Sequence, residues 1–136
     1  MESGFEYLDH TADVGIRAWG PTLEEAFARA VEGLVAYMVD VSDARAVGAA
    51  RLVVEGESPE RLLFRLLDET LDLLQSRLYV VTRAKVRFEA GRVVADVEGE
   101  AWDAARHGHV HEVKAITFHD LEVRRDPPEV RVIVDI

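Results

Sequence analysis

The sequence predicts an α+β fold in a single domain spanning residues 1–136, with two amphipathic helices packed on a mixed, mainly antiparallel β-sheet. Three observations predict it. Two segments repeat their apolar residues at helical spacing, several shorter ones alternate with a period of two, and the strands come in runs rather than in strict alternation with helices. With 136 residues, 49% of them hydrophobic and 31% charged, the chain can bury one core and is too short to divide into two substantial ones.

Phe5 to Asp9 and Val14 to Trp19 are short segments with β-branched and aromatic residues, and read as two strands flanking the polar corner His10-Thr11-Ala12-Asp13. After Gly20-Pro21, Thr22 stands three residues before Glu25. That is a capping box, in which hydroxyl and carboxylate satisfy amides left free at a helix start. Leu23, Phe27, Ala30, Val31, Leu34 and Met38 then share one helical face, with Glu24, Glu25, Arg29 and Glu32 turned away, and the helix ends near Val39-Asp40. A strand from about Ala50 to Glu55 follows. Ser58-Pro59 supplies an N-cap and a proline at the first position of a second helix. Its apolar face carries Leu62, Leu63, Leu66, Leu67, Leu71 and Leu74, the densest periodic stripe in the chain, and at about 2 kcal/mol per buried leucine this face belongs to the core.

From Val81 the period changes to two. Ala84, Val86 and Phe88 alternate with charged residues, Val93, Ala95 and Val97 repeat the pattern, and Ala90-Gly91 between them marks a hairpin with one wet face. A histidine-rich stretch runs from His107 to His119, and strands at Leu121 to Arg124 and Val130 to Val134 flank a turn at Asp126-Pro127-Pro128.

Composition excludes several functions. Zero cysteines removes disulfides, thiolate metal sites and thiol nucleophiles, so a metal would need carboxylate, imidazole or backbone oxygen. A formal charge of −10 repels phosphates, which disfavours direct nucleic-acid binding. Only Lys85 and Lys114 among the sixteen basic residues are lysines. No apolar run approaches the roughly 20 residues that cross a bilayer, and the acidic start is unlike a signal peptide, so a cytoplasmic protein without membrane contact is expected. Glycine-rich phosphate loops, a G-x-S-x-G elbow and an H-E-x-x-H helix are absent.

The polar residues that fall in turns or at strand ends are His10, Asp13, Asp40, His107, His109, His111, Glu112, Lys114, His119, Asp120 and Asp135. His10 and Asp13 can place an imidazole and a carboxylate near one point, or Asp13 can simply bond backbone amides as turn aspartates do. His107, His109 and His111 would share one side of an extended segment and could hold zinc with a fourth ligand, or form an exposed loop. Asp135 and the carboxyl end at Ile136 follow a segment that reads as a buried strand. Fixed there, with Asp13 nearby, they would suit a hard cation; a frayed, solvated end is the alternative.

Three motifs then carry a resemblance. Leu8-Asp9-His10-Thr11-Ala12-Asp13-Val14-Gly15-Ile16, with Thr22 to Phe27 and Met38-Val39-Asp40, resembles the amino-terminal half of the archease family. Glu112-Val113-Lys114-Ala115-Ile116-Thr117-Phe118-His119 is similar to that family's second motif, and Val132 to Ile136 to its carboxyl end. The resemblance implies an accessory protein, not an enzyme in its own right: an activator of the GTP-dependent RNA ligase of tRNA splicing, promoting guanylylation of the ligase and its further turnovers. It also implies a divalent cation, calcium or magnesium, at Asp13, Asp135 and the terminal carboxylate of Ile136. His10, Lys114 and His119 lie in matching motifs and are candidates for partner or nucleotide contact. Two other readings compete, a chaperone-like adaptor for RNA-modifying enzymes and a zinc-dependent hydrolase built on the clustered histidines.

Overall fold

The structure is a computed structural model that describes residues 2–9 and 12–136. Its elements run β1 (Gly4–Asp9), β2 (Asp13–Trp19), α1 (Leu23–Met38), β3 (Gly48–Glu55), α2 (Pro59–Gln75), β4 (Tyr79–Glu89), β5 (Arg92–Ala101), β6 (Ala115–Arg125) and β7 (Pro128–Asp135). The α+β class is as the periodicities predict, and every strand pairing is antiparallel. The strands divide, however, into two sheets rather than one: a four-stranded sheet in the order β1-β2-β7-β6 and a three-stranded sheet in the order β3-β5-β4.

Both helix starts form as their sequences dictate. The Thr22 hydroxyl accepts the Glu25 amide at 3.2 Å, and the Ser58 hydroxyl accepts the Arg61 amide at 3.2 Å with Pro59 directly after it. Each helix packs on strands of both sheets, so one core runs through the molecule. Ile16, Phe27, Leu34, Leu63, Leu66 and Leu67 are among its fully enclosed side chains, and Phe27 meets Phe88 edge to face with centroids 5.0 Å apart. Among the described residues no helix is long and apolar enough to cross a membrane.

Two details shape the surface that follows. Gly91 takes φ 70 in the turn joining β4 to β5, a conformation that favours glycine. In β6 the pairing with β7 slips between Thr117 and Glu122, and Asp120 sits at φ 54, so the strand bulges through Phe118, His119 and Asp120. That slip hides from the sequence a strand that starts at Ala115, six residues ahead of the expected Leu121.

Candidate functional site

Strands β2, β7 and β6 lie side by side, and their register fixes which residues meet at one end of the four-stranded sheet. Asp13 opens β2 directly opposite Asp135, the last residue of β7, and Asp135 in turn faces Ala115 at the start of β6. Directly opposed residues in an antiparallel pair project from the same face, so the two carboxyl groups are cross-strand neighbours. The Lys114 amide donates to the Asp135 carbonyl at 2.7 Å, which ties the start of the second motif to the same seam. Ile136, one residue on, is half-buried and packs against the core.

The seam is electrostatically incomplete. Like charges directly opposite each other destabilise a sheet, and among the described residues neither Asp13 nor Asp135 has a basic side chain within ion-pair distance. Oδ1 of Asp13 is buried and has no hydrogen-bond partner among the described residues. A buried carboxylate oxygen without a donor is rare, because removing it from water costs several kcal/mol unless a proton, a donor or a cation takes water's place. The donor set is all oxygen and therefore fits a hard cation. Among the described residues no three His, Asp or Glu side chains converge tightly enough to form a metal cluster, so a cation here would also need backbone or water oxygen.

Of the other candidates, His10 lies outside the described residues. Lys114 is exposed beside the seam, and His119 is exposed on the β6 bulge with its Nε2 3.2 Å from the Asp120 carboxylate. Asp40 is occupied locally: its Oδ1 accepts the Ser42 amide at 2.9 Å and the Ser42 hydroxyl at 2.7 Å, bonds that hold its carboxyl below the usual range.

The three clustered histidines do not gather. Residues 107–111 form a loop rather than a strand, so the alternation that would align their rings is lost. His107 is enclosed, its Nδ1 accepting the Asp103 amide at 2.8 Å and its Nε2 lying 3.0 Å from Glu100. With Nδ1 accepting, Nε2 carries the proton and donates to the carboxylate. His109 tilts against Trp102, and His111 stacks on Tyr37 with centroids 4.2 Å apart and its Nδ1 2.9 Å from the Tyr37 carbonyl. The zinc reading has no geometry behind it.

Sequence reasoning missed two residues near these motifs. Tyr37 holds His111, stacking on its ring and accepting at its own carbonyl, and burial and then the nearby Asp9 carboxylate push its phenol up. Glu100 organises the histidine loop by accepting both Arg106 nitrogens, at 2.8 and 2.9 Å, and the Arg45 amide at 2.9 Å. Neither leaves a local signal: Tyr37 is 74 residues from His111, and Glu100 looks like any polar strand residue.

Comparison with known proteins agrees with the motifs. The model of the archease protein family (MTH1598/TM1083) matches residues 5–136. Protein archease of Ictalurus punctatus is 34% identical over 137 residues, covering 97% of this chain and 85% of the relative, and that of Thermococcus gammatolerans is 39% identical over 127 residues, covering 90% and 89%. The solution structure of Methanobacterium thermoautotrophicum protein 1598 superposes with a TM-score of 0.80 at 29% identity, covering 98% of this chain and 99% of that one. The crystal structure of a Thermotoga maritima archease, described as a possible chaperone, has a TM-score of 0.58 at 18% identity over 96% of each chain and supports the fold alone. By the full-length family match and by these relatives, the chain belongs to the archease family.

Proposed function

We propose that this chain is a cytoplasmic accessory activator of the GTP-dependent RNA ligase of tRNA splicing, and that a divalent cation held by Asp13, Asp135 and Ile136 is part of that role. Family membership supports the first half of this reading. The second rests on one observation: two facing carboxylates at the end of a sheet, one with a buried oxygen that no donor satisfies among the described residues. A bound calcium or magnesium ion would supply concentrated positive charge at that end of the molecule. Lys114 is kept beside the seam by its own backbone bond to Asp135, where its ammonium adds a mobile point charge for a phosphate or a partner carboxylate. His10 and His119 are proposed as further contacts. The net charge of −10 favours action through the protein partner over direct contact with RNA.

Reconstitution with the ligase, GTP and metal tests both halves. The wild-type chain is expected to raise ligase guanylylation and the number of ligation turnovers, and Asp13→Ala to lose most of that stimulation while staying folded. Equal stimulation by Asp13→Ala overturns the cation role. No stimulation by the wild type overturns the activator reading and favours the chaperone-like adaptor, which predicts instead a better refolding yield of the ligase.

A further inference from the structure

Both helices end at one place, α1 at Met38 and α2 at Gln75, and there the surface opens into a groove of about 470 Å³. Its floor is apolar, with Met38 and Leu74 almost fully buried. Trp102 and Leu78 line its sides, and His109 and Glu112 border it. Trp102 donates its ring N–H to the Gly108 carbonyl at 3.2 Å, which fixes the indole, and the His109 ring leans on it at 5.1 Å.

Two apolar side chains stand in water at this end. Leu78 is 50% exposed, and Val110, between the groove residues His109 and His111, is 55% exposed. Leu78 also holds a left-handed backbone, φ 54, where its carbonyl accepts the Trp102 amide at 2.6 Å. Glycine or asparagine suits that conformation better than a branched residue. A leucine kept there against its backbone preference, with half its surface wet, is what a contact surface requires and a solvated turn does not.

The charge of the groove says what fits. The carboxyl ends of α1 and α2 bring partial negative charge, and neither helix has a basic residue in its last turn to offset it. Loop amides from Val110 and Ser76 satisfy terminal carbonyls without supplying net charge. Among the lining side chains Glu112 carries the full negative charge, beside His109, which leans on Trp102, and His111, whose Nδ1 is engaged with the Tyr37 carbonyl. Arg106 is committed to Glu100 and to the Asp43 carbonyl, and Arg77, just past the α2 cap, offsets part of that helix's end charge but leaves that of α1 and of Glu112. An apolar floor, a fixed indole face and a negative rim complement a cation on an aliphatic stem.

We propose that this groove receives a basic, apolar-flanked segment of a partner protein, with an arginine or lysine side chain lying between Trp102 and Glu112 and its apolar neighbours on Met38, Leu74 and Leu78. None of Asp13, Asp135 and Ile136 lines this groove, and its occupancy does not require a cation at the seam.

Trp19→Phe leaves Trp102 as the sole tryptophan, so its emission reports on the groove directly. The probe is a short blocked peptide alternating leucine and arginine, titrated beside a peptide in which glutamate replaces arginine, with folding checked by circular dichroism. A saturable change with the arginine peptide alone is expected. In that background Leu78→Asn, which relieves the backbone, should leave the melting temperature unchanged or higher, yet weaken the peptide about tenfold, as should Glu112→Lys. Glu57→Lys makes the same charge change at the opposite end of α2, about 25 Å away, and should weaken it far less. No saturable response, an equal response to the glutamate peptide, or equal weakening by Glu57→Lys and Glu112→Lys would each overturn the proposal.

Discussion

Glu100 and Asp13 are both carboxylates with oxygen drawn out of solvent, and they differ in what surrounds that oxygen. Glu100, 8% exposed on β5, receives two bonds from the Arg106 guanidinium, one from the Arg45 amide and one from His107. The Arg106 bonds above all pull its carboxyl down to about 2. Asp13 on β2 has a buried oxygen with no bond among the described residues, and its cross-strand neighbour is another carboxylate. The first arrangement is complete within the chain and ties the 103–107 turn to the three-stranded sheet. The second leaves an oxygen without a donor among the described residues, and under the proposed function a cation completes it. A fully partnered carboxylate belongs to the scaffold, whereas an open one that faces a second carboxylate is where a ligand's positive charge would be worth most.

The largest expected effect breaks the closed side of that comparison. His107→Ala empties the space of an enclosed imidazole and strips the Asp103 amide and the Glu100 carboxylate of a partner each. It should cost about 3 kcal/mol in urea unfolding. A loss below about 1 kcal/mol would mean that the clamp does not hold its loop.

Acid titration probes the same clamp with a smaller effect. Because the Glu100 carboxyl is depressed in the folded chain, from an ordinary 4.5 to about 2, its stabilising contribution is present above pH 4.5 and is lost as pH falls towards 2. Glu100→Gln should lower stability at neutral pH and flatten the acid limb between those values, measured by denaturant midpoints at successive pH. An unchanged acid limb in the variant would assign the loss to other carboxylates.

The two regions also differ in how far the sequence discloses them. The helices were legible because their signals are local: Thr22 with Glu25, Ser58 with Pro59, and leucines one or two turns apart. The β4–β5 hairpin was legible because Ala90-Gly91 imposes its turn. The division into two sheets was not, since pairing partners such as β2 and β7 lie more than a hundred residues apart and periodicity carries no information on neighbours. Asp13 and Asp135 stood out through family resemblance, while their opposition is a matter of register. The His107 to His111 spacing pointed the wrong way for a physical reason. It presumed an extended strand, whereas Asp103 and Glu100 capture the first imidazole and Tyr37 captures the last.

The smallest expected change in stability is the most informative about the open side. Asp13→Asn keeps the shape of the side chain and removes one of two facing negative charges, and its amide group can turn an N–H or an oxygen to the buried Oδ1 position, which has no partner among the described residues. Without added cation, unfolding should therefore shift by no more than about 1 kcal/mol, in the stabilising direction, because the repulsion across the strands is relieved and the new amide can donate to Asp135. Millimolar calcium or magnesium should separate the two proteins. A cation at 100 times its Kd would stabilise the wild type by about 2.7 kcal/mol, whereas the asparagine variant, with the charge of its ligand set reduced, should gain little. If Asp13→Asn instead destabilised the cation-free chain as much as His107→Ala does, Asp13 would be scaffold like Glu100, and the contrast between the two regions would disappear.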